Sequence, residues 1–314
     1  MNTESCPCPV CNSNHCTVVY SDLSDLLQGL PGIFNLVKCR ECNQLFLNPR
    51  PTVESIKFYY PSNYESFINY SIDNLGLIKK ISIKYGLHKR CRLVSTYQSH
   101  GRLLDVGCGT GQFLDAMRKR PGWSVVGIDI SPVAIRVARE ELKLDVHLGT
   151  LESVSFPEAS FDVVTMWDVL EHLHDPVRAL VVIGRILKPN GVLIIRTPSL
   201  DSWDAALFGR SWAGLDPPRH LVVFSRSTLV QVLQQASFEV IAWHPGGGSY
   251  PIFLLSLRFA WGIGPRASGV RGWIWRALAH PLAGAAFALP LWVLERAGKG
   301  SEMCVVAKRR NYRS

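Results

Sequence analysis

The stretch that decides the fold is Leu103-Leu104-Asp105-Val106-Gly107-Cys108-Gly109-Thr110-Gly111, an apolar run that ends in alternating glycines. Glycines let the backbone turn sharply out of a buried strand, and they let its N–H groups approach a ligand that a Cβ would hold away. A second apolar run, residues 124–128, is followed by Asp129, whose carboxylate is suited to accept hydrogen bonds from the two hydroxyls of a ribose. The two runs together predict a nucleoside-cofactor site.

The spacing of the glycines separates two classes of cofactor. A dinucleotide site of the form G-x-G-x-x-G would need a glycine at position 112, where the chain has Gln112. Glycines at 107, 109 and 111 after the acidic Asp105 instead resemble the first motif of class I S-adenosylmethionine (SAM)-dependent methyltransferases. The expected cofactor is therefore SAM.

Strand and helix patterns alternate from residue 102 onward, which is typical of an α/β, doubly wound, Rossmann-like sheet. We predict core strands at residues 103–106, 124–129, 144–148, 161–166, 191–197, 238–243 and 301–308. The resemblance to the methyltransferase family covers residues 103–308. It implies seven strands with the last one antiparallel, and SAM bound across the carboxyl ends of the first two.

The resemblance also assigns cofactor-binding residues position by position. It places Asp105, Gly107, Gly109 and Gly111 around the methionine part of SAM, with Cys108 inside the same turn. It implies that Asp129 holds the ribose and that Ile130 lies against the adenine, with Leu151 nearby. Asp168 matches the position that lines the methionine side and faces the substrate. The acid that often follows the third strand in this family is replaced here by Gly149-Thr150-Leu151.

The amino-terminal segment contains two Cys-x-x-Cys pairs, Cys8 with Cys11 and Cys39 with Cys42. Two matched pairs place four thiolates around one tetrahedral ion, so the pattern predicts a structural Zn²⁺ ribbon. Cys6 and Cys16 lie close in sequence but lack the pair spacing, and we expect them to be bystanders. A proline-rich exit and an aromatic cluster follow, with Phe58, Tyr59, Tyr60, Tyr64 and Phe67. Such aromatic residues more often pack than contact substrate, although Tyr59, Tyr60 and Tyr64 lie where a lid over the cofactor cleft would be.

Two histidines are candidate catalytic residues, because an alcohol acceptor needs a base with a proton affinity near the operating pH. We favour His220, in the segment between the fifth strand and the next helix, over His172, which follows the fourth strand. Arg219 is a candidate for gripping a carboxylate or phosphate of the substrate. The alternative is that His220 only orders its loop. For Glu171-His172, we favour helix capping and lid positioning over proton transfer.

Residues 250–294 form an apolar insertion before the last strand, where the family has a short hairpin. Arg276, Pro281 and Pro290 interrupt it too often for a membrane span. Ten Lys or Arg residues against two acidic ones after position 257 give this end most of the net charge of +9. Two helices lying in an anionic membrane interface, with tryptophans at headgroup depth, explain the pattern. A helix pair packed on the sheet or across a dimer is the alternative.

The predicted organisation is a zinc-ribbon segment (1–50), a helical cap or linker (51–98), a SAM-binding core (99–249), the apolar helical insertion (250–298) and the last strand with a basic tail (299–314). No secretory signal is recognisable, so we expect a cytoplasmic protein, peripheral on the inner membrane face.

The sequence favours methyl transfer to an oxygen on a sugar, a lipid-linked molecule or a quinone-type molecule. The ribbon and cofactor fold are also similar to zinc-bearing sugar C-methyltransferases. A zinc-ribbon RNA base methyltransferase is a rival, although a nucleic-acid partner is disfavoured because the ribbon is not particularly basic. A non-catalytic SAM-binding scaffold is a third possibility.

Overall fold

The computed structural model describes residues 2–60, 77–263 and 269–310. Its strands are β1 (Thr3–Glu4), β2 (Cys16–Leu23), β3 (Phe34–Cys39), β4 (Leu45–Leu47), β5 (Arg50–Pro51), β6 (Gly101–Val106), β7 (Trp123–Asp129), β8 (Val146–Leu148), β9 (Phe161–Trp167), β10 (Leu187–Pro198), β11 (Val222–Val223), β12 (Phe238–Gly247) and β13 (Glu302–Arg309). Its α-helices are α1 (Leu77–Tyr97), α2 (Gln112–Arg118), α3 (Pro132–Glu140), α4 (Pro176–Ile186), α5 (Trp203–Phe208), α6 (Arg226–Gln235), α7 (Ser249–Ala260), α8 (Gly269–Leu278) and α9 (Pro281–Arg296).

The central element is a seven-stranded sheet in the order β12-β13-β10-β9-β6-β7-β8. β13 is antiparallel to both of its neighbours, while the pairs formed by β6 to β10 are parallel. Leu104, Val164 and Ile194 in the central strands have no exposed surface, as expected for parallel strands covered on both faces. The predicted α/β class, the seven core strands and the antiparallel last strand are confirmed.

Local capping explains where two helices of the core begin. The Ser131 hydroxyl accepts a hydrogen bond from the Ala134 N–H at 3.2 Å, and the Asp175 carboxylate accepts one from the Arg178 N–H at 2.9 Å. A proline follows each cap in the first helical turn. Such caps satisfy backbone donors that the helix itself leaves unpaired. α3 therefore starts directly after the end of β7, and α4 starts after the short segment that follows β9.

The amino-terminal segment forms a four-stranded sheet that one short core strand completes, in the order β11-β4-β3-β2. The Leu47 N–H donates to the Leu221 carbonyl at 2.9 Å, and the buried Gln44 amide donates to the Val223 carbonyl at 2.7 Å. The ribbon therefore shares one sheet with a strand from the segment that follows β10. The domain boundary at residue 50 stays a prediction.

The apolar insertion lies between β12 and β13, as predicted, but it contains three described helices, α7 to α9, where two were expected. Within the described ranges, no single helix is long and apolar enough to cross a membrane. Gly269–Leu278 and Leu282–Arg296 meet that test only as a pair, across a bend of 69°.

Two tyrosines of the aromatic cluster after the ribbon have different contacts. Tyr59 is buried, lies against the Phe34 ring and donates to the Pro31 carbonyl at 2.8 Å, so it packs the ribbon and does not cap the cleft. Tyr60 instead reaches His172, as described below. Tyr64 and Phe67 lie outside the described residues.

Candidate active site and metal centre

The glycine turn after β6 has the backbone conformation that its sequence requires. Gly107, Gly109 and Gly111 have φ angles of 72°, 52° and 80°, which side chains with a Cβ rarely adopt. A Cβ on Gly111 would lie 2.4 Å from a Leu144 methyl, whereas a Cβ on Gly109 would meet nothing within 4 Å. Gly111 is thus needed for packing, and Gly109 leaves open space for a ligand to approach the backbone.

Asp129 fastens this turn to the end of β7. One of its oxygens accepts the Gly109 N–H at 2.8 Å and the other accepts the Ser131 N–H at 2.8 Å. A carboxylate oxygen can accept more than one hydrogen bond, so both retain capacity for ribose hydroxyls. Ile130 beside it is 56% exposed and Leu151 is buried. These residues fit the adenosine half of SAM, although their contacts with it stay predictions.

Asp105 lies buried at the base of the turn, between β6 and β9. The Thr165 hydroxyl donates to its carboxylate at 2.6 Å. Burial raises the pKa of Asp105 to about 7, because an ionised carboxylate loses its hydration there. A positively charged ligand near the turn would reverse that effect by favouring the ionised form.

Asp168 leads out of β9 with a φ of 59°, a conformation uncommon for a residue that has a side chain. Its carboxylate pairs with the guanidinium of Arg196 on β10, and Arg196 also lies 3.5 Å from Glu302 on β13. The Asp168 side chain remains 31% exposed, so it still lines the cleft. This charge network could not be predicted from the sequence, because its members come from three separate strands.

Arg90 on α1 is a further cation that the sequence analysis missed. Its guanidinium lies 5.2 Å from the centre of the Trp167 ring. Burial, and then Arg196, lower the pKa of Arg90, while Asp168, Glu302 and Asp105 favour its charged form. Nothing local in the helical pattern of α1 distinguishes it from the other basic residues there.

The two predicted histidines come together beyond the ends of β9 and β10, with ring centres 4.6 Å apart. His172 Nδ1 lies 2.9 Å from the Arg219 carbonyl, and His220 Nδ1 lies 2.9 Å from the Gly214 carbonyl. A carbonyl only accepts, so each Nδ1 carries a hydrogen, and in the neutral form of each ring Nε2 is then the acceptor. The Tyr60 hydroxyl lies 3.0 Å from His172 Nδ1.

Glu171 completes this group, and its place there was not predicted. Its carboxyl is buried, and neither oxygen has a hydrogen-bond partner among the described residues. Burial, and then the Asp168 charge, raise the pKa of Glu171 well above its usual value. The ligand atoms of Glu171, His172 and His220 lie within 4.8 Å of one another. We call these three residues the histidine cluster.

Burial, together with the neighbouring His220, lowers the pKa of His172 to about 4. His172 is thus neutral at physiological pH and holds a proton on Nε2 only weakly. A general base works best when its pKa lies near the operating pH. His172 is therefore poorly suited to act as the base.

The expectation that Arg219 grips substrate is wrong. Its side chain has no exposed surface and forms ion pairs with Asp25 of the ribbon and Asp216 of its own loop, both at 2.6 Å. A guanidinium paired with two carboxylates is already neutralised where it lies. Arg219 instead joins the ribbon to the loop that carries His220.

The four predicted cysteines form one cluster in the ribbon. Cys8 and Cys42 Sγ are 3.5 Å apart, Cys11 and Cys39 Sγ are 3.4 Å apart, and all four sulfurs lie within 4.8 Å of one another. A zinc–sulfur bond of about 2.3 Å implies tetrahedral sulfur separations of roughly 3.8 Å. The arrangement fits one zinc ion.

Comparisons with known proteins agree with this geometry. A methyltransferase domain family matches residues 84–242, half of the chain. The malonyl-[acyl-carrier protein] O-methyltransferase of Serratia marcescens is 30% identical over 176 residues, which are 55% of this chain and 68% of the relative. The chain belongs to the class I SAM-dependent methyltransferases, and it is an enzyme of that class.

Two further similarities are narrower. The ubiquinone biosynthesis O-methyltransferase of Alkalilimnicola ehrlichii is 40% identical over 102 residues, which are 31% of this chain and 41% of that protein. A Galdieria sulphuraria structure assigned provisionally as a sarcosine dimethylglycine methyltransferase has a TM-score of 0.50 and 18% identity, covering 81% of this chain and 98% of the other. That likeness supports the fold alone.

Proposed function

We propose that this enzyme transfers the methyl group of SAM to a hydroxyl oxygen of a small molecule, and that the histidine cluster receives the acceptor. The observation that supports it most directly is the pair of imidazoles whose Nδ1–H groups are fixed by backbone carbonyls, which leaves both Nε2 atoms as acceptors. The O-methyltransferase names of the relatives above agree with an oxygen acceptor.

SAM, when bound, supplies an electrophilic methyl group on a sulfonium. Gly107, Gly109 and Gly111 bring backbone N–H groups to the cofactor, and Asp129 holds its ribose. The remaining task of the chain is to align the acceptor oxygen and to remove its proton. His220 accepts that proton at Nε2, and His172, neutral at this pH, orients the hydroxyl.

The test is a His220→Ala variant supplied with labelled SAM and a cell extract. We expect label transfer to fall by about 10²- to 10⁴-fold, the usual contribution of a general base, with SAM affinity unchanged. His100→Ala, at an exposed histidine outside the site, is the matched control and should behave as wild type. Full transfer by the His220→Ala variant would remove this residue from the mechanism.

The ribbon carries a second part of the proposal, one structural Zn²⁺ held by Cys8, Cys11, Cys39 and Cys42. Elemental analysis of the purified protein should find one zinc per chain, and Cys42→Ser should lose it. Cys16→Ser, at a half-buried cysteine outside the cluster, should keep it. A second equivalent of zinc that depends on His220 would mean that the histidine cluster binds a metal instead of a proton.

A further inference from the structure

Helices α8 and α9 expose an apolar surface that the catalytic fold does not use. We call it the α8–α9 surface, and its large exposed members are Val270, Trp273, Leu282, Phe287, Leu289, Trp292 and Val293. Residues 281–294 contain no charged side chain. A helix on the outside of a soluble monomer normally has one polar face.

Most of the circumference of α9 is exposed, although Leu291 is buried. Residues 285–290 are all exposed, and six consecutive positions cover more than one full turn of 3.6 residues. Leu282 is 74% exposed and Leu289 is 69% exposed. Apolar exposure of this extent marks a contact surface.

The other contacts of α9 show how it is attached to the rest of the protein. The Phe287 ring lies 5.7 Å from Tyr250 and 6.1 Å from Phe253, both on α7. Glu295, the one acidic residue of α8 and α9, accepts a hydrogen bond from the Ser249 hydroxyl at 2.8 Å. The acidic side chain is thus engaged by α7, whereas Arg271 and Arg296 are exposed.

The length of α9 and the charges near it indicate which partner fits the α8–α9 surface. The 16 residues of α9 extend about 24 Å, less than the hydrocarbon core of roughly 30 Å, so this helix is too short to cross it alone. Exposed tryptophans with arginines nearby suit the headgroup region of an anionic bilayer, and Arg296 lies 5.0 Å from the Trp292 ring. We propose that the α8–α9 surface docks this enzyme on an anionic lipid membrane, so that its acceptor is a membrane-borne hydroxyl compound.

The surface is connected to the site through α7. The Ser256 hydroxyl on α7 accepts the Ala213 N–H at 2.9 Å, and the next residue, Gly214, accepts the His220 Nδ1–H. The insertion therefore supports the loop that holds the proposed base. The choice of acceptor rests on the proposed methyl transfer, whereas membrane docking stands without it.

Flotation of the full chain with vesicles tests the docking. The protein should float with vesicles of equal phosphatidylcholine and phosphatidylglycerol and not with phosphatidylcholine alone. Leu289→Ser should weaken partition by about tenfold or more, because a buried leucine contributes roughly 1.5–3 kcal/mol. Arg271→Gln should weaken it by about fivefold, since each basic residue near such a surface contributes about 1 kcal/mol.

Ile33→Ser is the matched control, because Ile33 on the ribbon is also 69% exposed. It should float as wild type does. Absence of flotation, or equal loss in both serine variants, would overturn the proposal. So would a dimer in solution that Leu289→Ser dissociates and anionic vesicles leave intact, because the surface would then bind a second copy.

Labelled SAM given to the enzyme with isolated membranes tests the acceptor class. Label should enter the solvent-extractable lipid fraction, and Leu289→Ser should reduce that transfer. Label found only in water-soluble products would overturn the membrane-borne acceptor. Binding of SAM in solution, measured without vesicles, reports separately on whether the catalytic proposal holds.

Discussion

At the scale of the residue, the most consequential group is Asp105. Its carboxyl is buried beneath the glycine turn, and burial holds its pKa near 7, about three units above that of an exposed aspartate. A carboxylate that is costly to ionise in the absence of a ligand is useful if the ligand is positively charged. SAM carries a sulfonium and an ammonium group, so binding and ionisation should be coupled.

This coupling predicts opposite effects of pH on stability and on binding. Because the folded pKa exceeds the unfolded pKa, the proton on Asp105 stabilises the fold below about pH 4, and that contribution is lost as pH rises towards 7. SAM affinity should instead rise with pH up to about 7, as the carboxylate ionises. Thermal unfolding and calorimetry across this range measure the two trends.

Asp105→Asn should remove the contribution of this residue to both trends. The variant should equal or exceed wild type in stability above pH 7, by at most about 4 kcal/mol, while binding SAM more weakly. The amide oxygen can still accept the Thr165 hydrogen bond, so packing is preserved. Wild-type affinity that did not change with pH would show that the Asp105 proton is not involved.

At the scale of the element, strand β11 links the ribbon to the site. It pairs with β4, and the residues just before it are Arg219, His220 and Leu221. The Leu221 N–H donates to the Glu171 carbonyl at 2.8 Å, and the Arg219 carbonyl accepts from His172. The ribbon sheet therefore positions both histidines although it contributes neither.

We accordingly predict that loss of the ribbon metal impairs methyl transfer more than cofactor binding. Cys42→Ser should lower the turnover rate at least tenfold, because β4 no longer holds β11 in register, and should leave SAM affinity within about twofold. Turnover and calorimetry on the same preparation separate the two effects. An equal loss of both would point to general unfolding, and no loss of turnover would show that the ribbon does not position the histidines.

How far the sequence predicts each element depends on how local its cause is. The glycine turn and the two Cys-x-x-Cys pairs follow from residues close in the chain, and both were predicted. The pairing of β11 with β4 joins residues about 180 positions apart, so it could not be predicted from local patterns. Because that pairing was unknown, Arg219 was predicted to contact the substrate. The position of Glu171 beside the histidines was not predicted for a similar reason, since its neighbours His220 and Thr197 come from later segments.

At the scale of the whole molecule, three units converge on one edge of the sheet. The sheet supplies the glycine turn and Asp129, the ribbon supports the histidine cluster, and the insertion supports the loop that carries His220 through Ser256. Open α/β sheets bind ligands at the carboxyl ends of their strands. We therefore expect SAM to lie at this edge, over the turn after β6.

Calorimetric titration of SAM into the full chain tests that claim most directly. We predict one SAM per chain, much weaker binding for Asp129→Ala and unchanged affinity for His220→Ala. Failure of the wild-type protein to bind SAM at millimolar concentration, or binding that Asp129→Ala leaves intact, would contradict the account.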